Sequence, residues 1–163
     1  MKEVIYPPLR RKGDALNYSV FLAGTIEMGN SPNWQQAFIN RFNDEDAISF
    51  YNPRRSSGFS GEQSLQNDDF VSQVNWEIEN IDSADIVIMY ITAESKSPIS
   101  LLEFGYCLGN DDIEHFIVAC EPGFWRRGNI EVMCNRFGIP LFDDLDDVES
   151  VLLSKIEYLK QNE

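Results

Sequence analysis

Histidine, cysteine and positive charge are all scarce in this 163-residue chain, and each scarcity removes a class of function. His115 is the only histidine, so a histidine-rich metal centre and a His-centred triad have no material to be built from. No metal or cofactor is expected. Cys107, Cys120 and Cys134 are odd in number, widely spaced and set in apolar or helical stretches, which predicts buried free thiols in a reducing compartment. Lysine and arginine total 13 against 27 acidic residues, a formal net charge of −14. A chain of that sign repels a polyanion, so a nucleic-acid polymer is not an expected partner. A small anionic ligand stays compatible with it, because backbone amides and one or two arginines can hold a phosphate locally. No apolar run approaches the roughly 18 residues of a membrane span, and the chain opens on charged residues and Pro7-Pro8 rather than an apolar leader. The expectation is a cytoplasmic protein without membrane contact. Arg10-Arg11-Lys12 is too short for a nucleic-acid patch and reads as part of a solvated arm over residues 1–17.

What is present is an alternation of short apolar runs with helical periods. Tyr18 to Ala23 reads as a buried strand stopped by Gly24. A first helix follows Pro32, with Trp34, Ala37, Phe38, Ile39 and Phe42 at helical spacing and Ser31 as the expected N-cap. Ile48 to Tyr51 is a second strand, followed by a Ser-, Gly- and Gln-rich loop over Ser56 to Asn67. From Phe70 to Ile81 the period of Val71, Val74, Ile78 and Ile81 predicts a helix with those residues turned inward, leaving Trp76 and Glu77 off the stripe. Ile86 to Ile91 is the most continuous apolar run, as a central parallel strand requires. A helix over Ser100 to Gly109, a strand over Phe116 to Cys120, and helices over Asn129 to Phe137 and about Asp144 to Leu159 complete the pattern. A short edge strand is expected within Ile139 to Phe142. The alternation predicts one α/β domain over residues 1–163: a doubly wound, five-stranded, mostly parallel sheet in a flavodoxin-like, Rossmann-like order. Ligands bind such sheets at the carboxyl ends of the strands, which selects the loops Gly24 to Asn30, Asn52 to Gly61, Thr92 to Ser100 and Glu121 to Gly128.

The third of these loops leads into S-L-L-E, and two readings of Glu103 stand side by side. Ser100 and Glu103 have capping-box spacing, which makes the glutamate a helix start signal. A carboxylate in the first turn of a helix at the carboxyl edge of a central strand also stays ionised under the helix dipole and faces the crevice, placed to attack an electrophilic carbon. Trp34, Trp76 and Trp125 read as packing residues, with Trp76 the exception worth keeping as a ligand-stacking candidate because it adjoins Glu77.

The segment A-D-I-V-I-M-Y-I followed by P-I-S-L-L-E-F-G-Y-C-L-G resembles the signature of the nucleoside 2-deoxyribosyltransferase superfamily. V-F-L-A-G-T-I is similar to that superfamily's first strand and glycine loop, and N-P-R-R, Q-V-N-W-E and R-G-N-I-E-V resemble its deoxyribosyltransferase-like branch, in order from about Tyr18 to Phe142. The resemblance implies that Glu103 is a nucleophile toward C1′ of a nucleoside or nucleotide, forming a covalent glycosyl intermediate, and that Glu77 is the acidic residue beside sugar or base. A solvated helix glutamate is the other reading of Glu77. Gly24, Thr25 and Ile26 form the glycine loop against sugar or phosphate, unless they are a plain strand-to-helix turn. Ser97 stands where transferases of the family carry aspartate and nucleotide-hydrolysing relatives carry serine, which implies a hydrolase-like site. Glu27 stands where those hydrolases place an arginine near the 5′-phosphate. Asn52 and Arg55, with Arg54 beside it, are the contacts expected from the second loop. Family members complete the pocket with a neighbouring subunit, which implies a homodimer or larger homo-oligomer and gives Asn129 a place in it. Cleavage or transfer at an N-glycosidic bond is the function expected; a catalytically silent nucleotide-binding or sensing module of the same fold is the alternative.

Overall fold

A computed structural model describes residues 3–11, 17–56 and 61–162, and the structural statements below are of these residues. Their order is β1 (Val4–Ile5), β2 (Tyr18–Gly24), α1 (Trp34–Asn40), β3 (Ile48–Tyr51), α2 (Asp68–Ser83), β4 (Ile86–Ile91), α3 (Pro98–Gly109), β5 (Phe116–Cys120), α4 (Arg127–Phe137), β6 (Leu141–Phe142) and α5 (Leu145–Gln161). A single three-residue 3₁₀ turn over Glu27–Gly29 lies between β2 and α1. No helix among the described residues is long and apolar enough to cross a membrane.

The six strands form one sheet in the order β1-β3-β2-β4-β5-β6, and every pair is parallel. Leaving β1 aside, this is the flavodoxin-like order. The expectation of five strands is corrected by β1, where the solvated arm was expected: Val4 and Ile5 pair with Phe50 and Tyr51 at the sheet edge. Two residues are too short a run to carry a strand signal by themselves. The segment after β1 is also docked, since Trp76 Nε1 donates to Leu9 O at 2.7 Å and Arg10 pairs with Glu79 at 3.3 Å. Lys12 and residues 57–60 of the Ser-Gly-rich loop lie outside the described residues.

Alternate side chains of each strand enter opposite layers, as strand geometry dictates. On one face Phe21, Ala23, Val87, Met89, Ile91, Val118 and Cys120 pack under α2, α3 and α4, which add Trp76, Ile81, Phe104, Cys107, Ile130 and Cys134. On the other face Val20, Leu22, Ile86, Ile88, Tyr90, Ile117 and Ala119 pack under α1 and α5, which add Trp34, Phe38, Ile39, Val148, Leu152 and Ile156. Right-handed crossovers explain the division: α1 carries the chain from β2 to one side of the sheet, whereas α2, α3 and α4 carry it to the other. The connections therefore diverge between β2 and β4, and that switch point opens a crevice at their carboxyl ends.

Local caps follow residue chemistry, with one departure from expectation. Asn33, not Ser31, caps α1 by accepting from Gln36 N at 3.1 Å, while Ser31 Oγ donates to Ile26 O. Asn67 and Asp144 cap α2 and α5. On α2 the inward face carries Trp76, Asn80 and Ile81, so the aliphatic period holds at Ile81 and fails at Ile78, which is 40% exposed, while Trp76, placed off the stripe, is buried. All three cysteines are buried and free, and burial pushes the thiols up, Cys107 to about 12 and Cys120 and Cys134 to about 11.

Candidate active site

Gly24 ends β2 at φ +135°, opposite Tyr90 of β4. A Cβ there would lie 2.0 Å from Tyr90 O, so only glycine lets the two strands stay paired to the edge of the crevice. Thr25 then turns its hydroxyl into a buried cluster rather than outward. Its Oγ1 lies 3.2 Å from Ser95 Oγ and 2.7 Å from Ser97 Oγ, accepts from Thr92 N at 3.1 Å, and the two serine hydroxyls are 2.7 Å apart. This cluster ties the loop after β2 to the loop after β4. It also engages the Ser97 hydroxyl, expected to face a ligand, in the protein's own interior.

The turn that follows brings Glu27 across the crevice, where its Oε1 accepts from Lys96 N at 2.9 Å and Ser97 N at 2.6 Å. Ser97 sits in the left-handed region at φ 44° and precedes Pro98, the first residue of α3. The helix thus begins before Ser100, whose hydroxyl makes no cap, and Glu103 lies in the second turn rather than at the third position. The capping-box reading is thereby corrected, and so is the expectation that the helix dipole keeps Glu103 ionised, because that effect falls off beyond the first turn.

Glu103 meets Glu77 from α2 in a cavity of about 280 Å³ lined also by Gly24, Ile26, Glu27 and Ser97. That is near the lower end of the roughly 300–1,000 Å³ usual for small-molecule sites. Burial pushes the Glu103 carboxyl up to about 8, and the neighbouring Glu77 adds to the rise. Burial also lifts Glu77, to about 6, against the opposing effects of a Gln73 hydrogen bond and the Arg55 charge. Gln73 Nε2 donates to Glu77 Oε1 at 2.6 Å and to Pro53 O at 3.3 Å. Gln73 was missed in the sequence, although its i, i+4 spacing to Glu77 on one helix face is the signal for it. Both carboxyls are thus held above the usual carboxylate range, Glu103 further than Glu77, an arrangement suited to acid–base and nucleophilic work in one site.

Of the expected contacts, the fold brings Gly24, Ile26, Ser97, Glu77 and Glu103 together and leaves the others elsewhere. Thr25 is held in the hydroxyl cluster. Asn52 is buried and caps its own loop, accepting from Arg54 N at 3.0 Å. Arg54 binds the carbonyls of Gly29, Ser31 and Pro32, and Arg55 makes a two-pronged ion pair with Asp69 at 2.8 and 2.9 Å. Trp76, kept as a stacking candidate, is a core residue packed against Phe21 and Tyr51. Asn129 is exposed on α4 and does not line the crevice. Trp125, expected to pack, is 50% exposed, with Lys96 Nζ 4.9 Å and Arg126 4.4 Å from its ring centre.

A doubly wound parallel sheet with two carboxylates at its switch-point crevice defines an α/β domain whose ligand site is of the small-molecule kind. Residues 17–124 match the family model described as nucleoside 2-deoxyribosyltransferase like, and the chain belongs to that family. Nucleoside glycosyl transfer in general is the activity that membership indicates. No curated protein matches the chain significantly.

Proposed function

We propose that the chain cleaves or exchanges the N-glycosidic bond of a nucleoside or nucleotide through a covalent sugar ester on Glu103. The carrying observation is that α2 and α3 place two electrostatically coupled carboxyl groups in one crevice. In the reaction read from this pairing, a Glu103 carboxylate oxygen bonds to C1′ while the C1′–N bond breaks. Its electron pair leaves with the base, which takes up a proton. Glu103 must first lose the proton it holds in the free site, and Glu77, the more acidic partner, is the group suited to relay it to the base. Water or a second base then attacks C1′ and restores the carboxyl group, so the two products distinguish hydrolysis from transfer.

Incubation with nucleosides and nucleotides, with and without an acceptor base, tests this by product. Glu103→Gln is expected to lower kcat by about a thousandfold or more, and Glu77→Gln by about a hundredfold or more. Intact-mass measurement with a slow 2′-fluoro nucleoside should show a sugar adduct that Glu103→Gln lacks. No released or exchanged base from any substrate, with Glu103→Gln indistinguishable from wild type, defeats the reading.

The proton on Glu103 favours a second reading, a silent binding or sensing module, since a neutral carboxylic acid is not a nucleophile. A nucleotide that raises Tm without forming product would support it. We also propose a homo-oligomer in the cytoplasm. Met28 and Ile99 line the crevice yet are 69% and 60% exposed, and Leu102 continues the apolar rim at 70%, a surface suited to a second copy. Light scattering is expected to give at least the dimer mass, and Leu102→Glu to lower it.

A further inference from the structure

A second cavity, of about 500 Å³, opens at the carboxyl ends of β1 and β3 and shares no lining residue with the crevice. The chain carries 27 acidic residues against 13 basic ones, yet no carboxylate lines this space: its polar groups are amides, hydroxyls and two guanidinium groups, from Gln36, Asn52, Arg54, Arg55 and Ser56 among others. Two of them are left incomplete by the protein. Asn52 is 1% exposed and spends its Oδ1 on Arg54 N at 3.0 Å, while its Nδ2 has no acceptor among the described residues. A donor on so deeply buried a side chain, open only to a cavity, is placed for an acceptor that enters that cavity.

Arg54 has the complementary deficit. Its Nη groups donate to the carbonyls of Gly29, Ser31 and Pro32 at 3.0, 2.6 and 3.0 Å, which satisfies hydrogen bonds but not charge. Burial lowers its guanidinium from the ordinary value, and no carboxylate offsets that effect. Arg41, Arg55 and Arg127 by contrast each pair with at least one carboxylate. A half-buried cation without a counter-ion is stabilised by an anion brought beside it. The cavity volume falls within the roughly 300–1,000 Å³ of small-molecule sites. A phosphoryl group, with several acceptor oxygens and up to about two negative charges, matches this lining better than a single carboxylate.

We propose that this cavity is a second ligand site, separate from the crevice, that binds a phosphoryl group, free or esterified: its oxygens take the Asn52 amide and the Ser56 hydroxyl, and its charge lies against Arg54. With no carboxyl pair in its lining, the site binds the anion without transforming it, and the proposal does not depend on the glycosyl-transfer reading.

Thermal shift near neutral pH and at constant ionic strength tests it, with inorganic phosphate and glycerol 3-phosphate as separate probes. Wild type is expected to show a saturable rise in Tm with at least one of them, and the probe that half-saturates at lower concentration tells whether the free ion or the ester fits the site. Arg54→Gln is expected to abolish saturation. Because Arg54 also clasps the loop after β2, that variant can fail to fold, so two others leave every arginine in place. Ser56→Asp puts a carboxylate on an exposed lining residue, and Gln36→Glu adds one while keeping the oxygen that accepts from Tyr6. Each is expected to raise the half-saturating concentration at least tenfold. Neither residue lines the crevice, so an anion held there would leave both variants like wild type. That result, or no saturable rise with either probe, overturns the proposal.

Discussion

Two glutamates on different helices line one crevice, and burial there raises both carboxyls above the usual carboxylate range. What keeps Glu77 the more acidic partner is Gln73, whose amide donates to it at 2.6 Å. Gln73→Leu removes that donor, and the Glu77 midpoint is expected to rise above about 6, by about one pH unit for a hydrogen bond to a charged group. Carbon-13 NMR titration of labelled glutamate carboxyls reads the shift; an unchanged midpoint would mean that Gln73 does not hold the charge. At this scale Glu103 stood out by its place after the central strand, beside its capping-box reading, and Glu77 by the family resemblance, beside that of a solvated helix glutamate; the fold brings the two to one crevice. Their protonation was not legible, because it depends on how deeply α3 is entered before Glu103 and on an acid from another helix. Ser97 was legible as a position and misleading as a side chain, its hydroxyl being drawn into the cluster with Thr25 and Ser95.

Helix α2 shows how an element can be found with its inner face only partly read. Its existence followed from the apolar period, and Ile81 of that period is buried, but Ile78 is exposed and Trp76 takes its place inside. Trp76 is buried against Phe21 and Tyr51, and Asn80 Nδ2 donates to Trp76 O at 2.6 Å. Gln73 and Glu77 complete that side toward the crevice. A helix lining a polar site must turn polar residues inward, so counting aliphatics shifts the expected face away from them at such a place. Trp76→Ala is therefore expected to destabilise the fold by about 3–5 kcal/mol through the cavity it leaves, whereas Ile78→Ala should stay within about 0.5 kcal/mol. Urea denaturation of the two variants separates the faces, and a larger loss for Ile78→Ala would restore the aliphatic reading. Strands β4 and β5 matched their expected bounds because buried parallel strands are apolar on both faces and need no choice of side. β1 escaped notice because its stability comes from pairing with β3 rather than from its own length.

For the whole molecule, the strand order and the switch-point crevice were implied by alternation and crossover handedness, which are properties of the chain as a polymer. The burial of two acids at that crevice carries a consequence for the entire fold. Unfolded, Glu103 loses its proton near the ordinary carboxylate value of 4.5, but folded it holds the proton up to about 8. The native state therefore binds more protons than the unfolded state across that window. Linkage then requires stability to be fully present below about pH 4.5 and to decline as pH rises toward about 8, by at most about 1.4 kcal/mol per pH unit for one proton. Glu77 adds a contribution of the same sign between 4.5 and about 6. The net charge of −14 and the lowered pKa of His115 impose slopes of their own, but these are common to wild type and a Glu103→Gln variant. The difference between the two proteins isolates the glutamate. Urea midpoints measured from pH 5 to 9 are expected to show the variant gaining stability on wild type steadily up to about pH 8 and holding a constant advantage above it. A difference that stays flat across the window would mean that Glu103 is ionised in the folded crevice at neutral pH. In the proposed glycosyl transfer, Glu103 would then attack without first losing a proton.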